Sequence, residues 1–94
     1  MLLAARQRAR LKARAHRLEP VVHIGQAGAS DAAVAEVDRA LGAHGLIKVK
    51  FAGDRDERDA NAATLSARTD AAIVQQVGRI VVLWRPRPDD EPLE

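Results

Sequence analysis

The sequence predicts an α/β fold of the mixed α+β kind, in which three helices pack on a four-stranded mixed sheet. Three observations lead to this prediction. The 94 residues are enough for one domain with a modest core. Helix-like and strand-like segments alternate in the order α-β-α-β-α-β-β. Single helices between successive strands imply two right-handed crossovers, and a closing hairpin adds an antiparallel strand.

The first helix is predicted over residues 3–16, a stretch that lacks Gly and Pro and is rich in strong helix formers. Leu11, Ala15 and Leu18 recur at i, i+4 and i+7, so they form one apolar stripe. We therefore expect this side of the helix to pack on a core and the other side to face solvent.

One strand is predicted before the second helix and one after it. Pro20 favours an extended backbone, and the run from Val21 to Ile24 predicts the first strand. Residues 46–51 combine an apolar start with alternation, which predicts the second strand. Lys48 and Lys50 fall on the same side of it, because successive side chains of a strand point to opposite faces.

The second and third helices begin at capping residues. Ser30 is a suitable N-cap for a helix over residues 31–43, and Gly45 suits the left-handed residue after its end. Asp54 and Glu57 have the spacing of a capping box, so the third helix is predicted over residues 55–68.

The last part of the domain is a predicted hairpin. Two β-rich runs, 72–77 and 80–84, are separated by Gly78-Arg79, and a glycine in the first turn position suits a type II′ turn. We place a single domain over residues 1–87. Residues 88–94 are rich in Pro and acids, and we expect them to form a disordered tail.

Composition excludes several function classes. The chain has no cysteine, which excludes a disulfide framework, a thiolate nucleophile, an iron–sulfur cluster and a Cys-based zinc site. The longest strictly apolar run, Ile80 to Trp84, is far shorter than the roughly 20 residues of a membrane span. We expect a cytoplasmic protein that is monomeric in isolation, has no cofactor and does not bind membranes.

The charge is unevenly distributed. Residues 1–53 carry nine Lys or Arg against four acids, whereas residues 54–94 carry six against nine. Six cations precede the first acid, Glu19, and they are Arg6, Arg8, Arg10, Lys12, Arg14 and Arg17. Because these cations repel one another, the cluster predicts a polyanionic partner, with nucleic acid first. A mitochondrial presequence is also Arg-rich, but it usually contains serine, and none occurs before Ser30.

A small-residue loop, Gly25-Gln26-Ala27-Gly28, lies between the first strand and the second helix. Two glycines at this spacing let a backbone approach a phosphate at the positive end of a helix. The pattern also suits a plain strand-to-helix connection. It is neither a Walker loop nor a dinucleotide fingerprint, so the local pattern alone does not establish nucleotide binding.

No arrangement of polar residues indicates catalysis or a metal site. The spacing of His16, His23 and His44 differs from that of a metal-binding histidine pair, and His23 is expected to pack within its strand. The acids between residues 54 and 59 alternate with arginines, which favours helix capping and local ion pairs. Neither serine at 30 or 66 has a His and Asp partner at recognisable spacing. We predict no catalytic residue and no metal, and the protein is not expected to be an enzyme.

The two aromatic residues, Phe51 and Trp84, are too few for a protein that stacks bases on its sheet. We expect both to pack in the core or at its edge. Binding to nucleic acid would then depend on phosphates, sugars and shape.

Several segments, taken together, carry a resemblance to a known family: residues 18–25, Gly28, Ala40-Leu41, residues 44–50, Gly78-Arg79 and residues 82–86. With this order of elements the chain resembles the CRM domain over about residues 3–87, and more narrowly the small stand-alone bacterial YhbY-like proteins. The resemblance implies a fold similar to the C-terminal domain of a bacterial translation initiation factor. It also implies RNA binding, which the family links to precursors of the large ribosomal subunit in bacteria and to organellar intron splicing in plants.

Carried over by the resemblance, the RNA-contacting residues are those of the loop and of the basic surface: Gly25, Gln26, Ala27, Gly28, Arg6, Arg10, Lys12, Arg14, Lys48 and Lys50. The first helix carries mostly Arg where the family is expected to carry more Lys, which favours bidentate phosphate contacts. Gln26-Ala27 offers neither a cation nor an aromatic ring at the loop tip. Contact there is expected to be made by the backbone and to tolerate different sequences.

The resulting hypothesis is a non-enzymatic protein that binds ribosomal RNA in an assembling large subunit through the first helix and the loop. An alternative is a protein-binding adaptor whose basic helix docks on an acidic partner. Nucleic acid that copurifies and is removed by ribonuclease would favour the first interpretation.

Overall fold

The protein is described by a computed structural model that covers residues 2–88. Except for Pro88, the tail predicted over residues 88–94 lies outside the described residues. The elements are, in chain order, α1 (Ala5–Ala15), β1 (Pro20–Ile24), α2 (Asp31–His44), β2 (Leu46–Phe51), α3 (Arg55–Thr69), β3 (Ala72–Val77) and β4 (Ile80–Trp84). All seven predicted elements are confirmed, and their ends differ from the predicted ones by at most two residues.

The four strands form one mixed sheet in the order β1-β2-β4-β3. β1 pairs with β2 in parallel, and β4 is antiparallel to both of its neighbours, β2 and β3. β4, the last of these four strands along the chain, therefore lies inside the sheet, between two strands that precede it. Its apolar run fits this place, because Val81, Val82 and Leu83 are all buried and central strands are covered on both faces.

Helices cover both faces of the sheet. α2 and α3 share one face, where Phe51 of β2 is fully buried in a cluster with Leu41 and Leu65. α1 lies on the other face and forms a second, smaller core. In that core Leu11 and Ala15 are buried in one cluster that is completed by Leu46, Val74 and Val82, with Leu3, Leu18 and Trp84 packed at its edge. The predicted apolar stripe of the first helix is confirmed.

Both predicted helix caps are present. The hydroxyl oxygen of Ser30 accepts the N–H of Ala33 at 3.2 Å and begins α2. At the start of α3, Asp54 Oδ1 accepts the Glu57 N–H at 2.9 Å, and Glu57 Oε1 accepts the Asp54 N–H at 3.2 Å. The hydrogen bond from the Glu57 N–H lowers the pKa of Asp54 below its ordinary value of 3.8. The stability that this cap contributes is therefore fully present at pH values above the pKa of Asp54 in the unfolded chain. It is lost as pH falls through the lower pKa that Asp54 has in the folded protein.

An irregularity in β3 gives one helix cation a structural role. The register between β3 and β4 shifts between Ile73 and Gln75. Arg8 of α1 reaches this edge strand, and its Nη1 donates to the carbonyl oxygens of Ile73 and Val74, each at 2.7 Å. The guanidinium thus ties α1 to the sheet beside the buried contacts of Leu11.

Replacing Arg8 with Ala is expected to lower the free energy of unfolding by about 1–3 kcal/mol, because two carbonyl groups lose a charged donor. Urea denaturation measures the change. Arg10→Ala is the matched control, since Arg10 is exposed on the same helix, and its effect should stay below about 0.5 kcal/mol. Equal stability of the two variants would show that the Arg8 hydrogen bonds do not support the fold.

Candidate nucleic-acid interface

The cations of α1 are divided between two roles. Arg8 is used within the fold, whereas four others predicted to bind RNA are exposed, namely Arg6, Arg10, Lys12 and Arg14. Among residues 2–88 the ion pairs join Arg68 to Asp31 and Arg85 to Asp38, both remote from α1 along the chain. The positive charge of the helix is therefore not neutralised by the part of the chain that the structure describes.

Two grooves run along the flanks of α1, and cations of the helix line both. On one flank, Lys12 and His16 share a groove of about 260 Å³ with Lys48 of β2. A second groove, of about 390 Å³, is lined by Arg14 of the helix and by Arg17 and Glu19, which follow the helix. Cations of α1 therefore line two concave surfaces as well as the exposed side of the helix.

Lys48 and Lys50 lie on the same face of the sheet as α1. Leu46, which belongs to the core beneath α1, shares this face with them because side chains alternate along β2. Lys48 is half-buried and Lys50 is exposed. Lys50 is also in register with His23 on β1, one residue before the end of that strand. Through these two lysines the charge of α1 continues across the sheet toward the loop that follows β1.

The loop after β1 is a tight turn. The Gly28 N–H donates to the carbonyl oxygen of Gly25 at 3.0 Å. Gly25, Gln26 and Ala27 are exposed, and the N–H groups of Gln26 and Ala27 donate to no residue between 2 and 88. Two exposed backbone donors at the tip, ahead of the N-terminus of α2, suit an anionic oxygen.

Gly28 has a different place from the other three loop residues. It is buried, its φ is +68°, and a Cβ there would lie 2.7 Å from Oδ1 of Asn61. The same oxygen accepts the Ala29 N–H at 3.2 Å. Gly28 therefore shapes the turn and brings it against α3. Asn61 was not among the predicted site residues, although a poor helix former within an Ala-rich helix was a usable indication.

Alanine substitutions at Gly25 and at Gly28 should have different effects on stability. Gly28→Ala is expected to lower the free energy of unfolding by more than about 1 kcal/mol, because alanine is strained at this φ and its Cβ displaces Asn61. Gly25→Ala is the control, since a Cβ there meets nothing within 4 Å. Thermal denaturation of both variants measures the difference, and a stable Gly28→Ala variant would contradict the shaping role.

The remaining polar candidates do not gather into a site. The expectation that His23 packs inside is wrong, because Val22 and Ile24 take the buried side of the edge strand and His23 is exposed. Among residues 2–88, no three His, Asp or Glu side chains are grouped so that they could hold a metal ion.

No helix in that range is long and apolar enough to cross a membrane.

The two aromatic residues belong to the cores, as predicted. Phe51 is buried under α2 and α3, and Trp84 is half-buried against the cluster under α1. Neither ring lies at the loop tip, and Trp84 is open to solvent only in part. The chemistry on this face is that of cations and backbone N–H groups, which suits phosphate oxygens.

The chain is similar to several known proteins in sequence and in fold. The model of the CRS1/YhbY (CRM) domain family matches residues 3–85. A Haemophilus influenzae protein named RNA-binding protein is 44% identical over 85 residues, which cover 89% of this chain and 86% of the relative. A Bacillus subtilis protein named Probable RNA-binding protein YqeI is 30% identical over 95 residues, which cover 99% of this chain and 98% of that protein. The solution structure of a hypothetical protein from Staphylococcus aureus has the same fold, with a TM-score of 0.84, 29% identity, and 99% and 98% of the two chains covered.

Proposed function

The chain belongs to the CRS1/YhbY (CRM) domain family, and on this premise we propose that it is a non-enzymatic RNA-binding protein that holds structured RNA by its backbone. We propose ribosomal RNA in precursors of the large subunit as its target. The RNA-contacting surface, in this proposal, consists of the exposed cations of α1, Lys48 and Lys50 on β2, and the tip of the loop after β1.

The observation that carries this proposal is a set of exposed cations that no acid among residues 2–88 neutralises. The exposed cations of α1 have no acidic partner among residues 2–88, and Lys48 extends the same surface onto the sheet. The exposed loop after β1, which is the strand paired with β2, adds two N–H groups that have no partner among residues 2–88. Cations and backbone N–H groups are the donors that proteins use on phosphate oxygens, and they bind without reading bases.

The scarcity of aromatic residues supports the same mode of binding. Proteins that read single-stranded RNA stack bases on exposed rings. Here Phe51 is buried, and Trp84 is half-buried at the edge of the cluster under α1. An RNA helix instead offers phosphates and hydroxyl groups in a fixed A-form geometry. The choice of ribosomal RNA rests on the resemblance to the stand-alone bacterial members of the family.

A salt titration of RNA affinity tests the proposal. With about four to six phosphate contacts, the logarithm of the association constant should fall against the logarithm of salt concentration with a slope of about −3 to −5. Nucleic acid that copurifies from cells and disappears with ribonuclease should map to ribosomal RNA. Poly-glutamate is the control for an acidic protein partner. Tighter binding to poly-glutamate than to RNA would contradict the proposal and favour an adaptor.

A further inference from the structure

The groove between α1 and the sheet has an apolar floor that the helix leaves open. α1 ends at Ala15 and covers only part of its sheet face, so Ile80 stays half-exposed and Val77 is 59% exposed near the hairpin. Together with Ala15 and Val82 these side chains form the floor. Lys12, His16 and Lys48 stand at its rim.

The polar groups of this groove have no partners within the described chain. Elsewhere, Arg8, Arg58, Arg68 and Arg85 all donate to carbonyl or carboxylate oxygens. By contrast, the side chains of Lys12, His16, Lys48 and Gln75 make no hydrogen bond or ion pair with residues 2–88. Gln75 is half-buried beside the floor, and its amide offers both a donor and an acceptor. The groove thus combines apolar contact with unused hydrogen-bonding groups and two permanent cations.

These features select the chemistry of the occupant. A phosphate alone would use the lysines but not the apolar floor, and an apolar side chain would leave the lysines and Gln75 unused. A nucleotide uses all of them, because its base has apolar faces and a polar edge and is linked to anionic phosphates. The volume of about 260 Å³ lies just under the range of sites for drug-sized ligands, so it suits one such group.

We propose that this groove takes one unpaired nucleotide of the bound RNA. The base lies on the aliphatic floor with its edge toward Gln75, and the neighbouring phosphates lie on Lys12 and Lys48. This inference rests on the proposed RNA binding and deepens it, because it adds one base contact to a surface that otherwise holds the backbone. Paired nucleotides cannot enter, since their bases are stacked within the helix, so the groove makes the protein prefer RNA with an interruption.

Two RNA duplexes that share one strand test this preference. In the first duplex every nucleotide is paired, and in the second one adenine of the shared strand has no partner. The wild-type protein should bind the second about tenfold more tightly, at the lower end of what base contacts contribute, because the floor is aliphatic. With 2-aminopurine at the unpaired position, fluorescence should rise on binding as the base leaves the stack.

A matched pair of exposed valines locates the contact. Val77→Ser removes part of the floor without changing charge, and it should reduce the tenfold preference to about twofold or less while affinity for the paired duplex is unchanged. Val21→Ser is the control, because Val21 is 48% exposed on the opposite edge strand and lines the groove beside Arg14 and not this one. The control should keep the full preference and the fluorescence change.

The possible results separate this proposal from the one on which it rests. Equal affinity of the wild-type protein for the two duplexes would overturn the nucleotide site and leave RNA binding intact. A preference that survives Val77→Ser, or that Val21→Ser abolishes, would show that the groove is not where the base lies. Failure to bind either duplex, even at low salt, would instead contradict the proposed function itself.

Discussion

Replacing Arg6, Arg10 and Arg14 with Glu is expected to lower the affinity for structured RNA by at least about 100-fold, with little change in the melting temperature. Each substitution removes a cation and adds a repulsive charge on a helix face that no described acid neutralises. The three side chains are exposed, so the buried contacts of α1 are retained. The slope of the salt dependence should also become shallower by about two to three, because each of these cations neutralises about one phosphate.

A charge-matched control separates the site from a general effect of net charge. The double variant Arg6→Glu/Arg10→Glu changes the net charge by the same amount as the double variant Arg39→Glu/Arg68→Glu. Arg39 and Arg68 lie on the two helices of the other sheet face. Arg68 pairs with Asp31 at the surface, and such exposed pairs contribute little to stability. Fluorescence anisotropy with labelled RNA compares the variants. Equal reductions of affinity in the two double variants would show that α1 is not the binding surface.

Leu11→Ala is expected to lower the free energy of unfolding by about 2–5 kcal/mol. It is also expected to weaken RNA binding. α1 lies alone on its sheet face and buries only Leu11 and Ala15, so the substitution removes the main packing that holds the basic helix. Domains of this kind are stable by about 5–15 kcal/mol in total, so the melting temperature should fall by roughly 10–30 °C.

Leu65→Ala provides the comparison, because Leu65 is equally buried but belongs to the core under α2 and α3. Both variants should lose similar stability in thermal denaturation followed by circular dichroism. RNA affinity, measured well below both melting temperatures, should fall further for Leu11→Ala, whose cations lose their fixed position. An unchanged affinity in folded Leu11→Ala would mean that the cations bind RNA without being held on the sheet.

The fold was predictable to the level of elements because each element has a local cause. Apolar spacing determines which side of α1 is buried, and the caps at Ser30 and Asp54 begin α2 and α3 where the sequence places them. The position of β4 between β2 and β3 depends on competition among strands. Its uninterrupted apolar run was the available indication, since such runs are typical of strands covered on both faces.

The candidate site was less predictable, because its geometry depends on contacts between distant segments. Arg8 is one of six similar cations in the sequence, and only the shifted register of β3 gives it acceptors. Gly25 and Gly28 look equivalent in the sequence, yet the position of Gly28 in the fold depends on Asn61, more than thirty residues away. The expectation for His23 failed for a related reason, since a strand pattern shows alternation but not which strands lie at an edge.

The place of β4 also affects the order in which the protein can form during synthesis. β1 and β2 are neighbours, so they can pair as soon as both have left the ribosome. β3 cannot pair so early, because its partner in the sheet is β4, which is the last of these four strands to be made. The core under α1 likewise needs Val82 of that strand to be complete. A nascent chain that stops before residue 80 therefore lacks the middle of its sheet, and the α1 surface takes its final form only after residues 80–84 have been made.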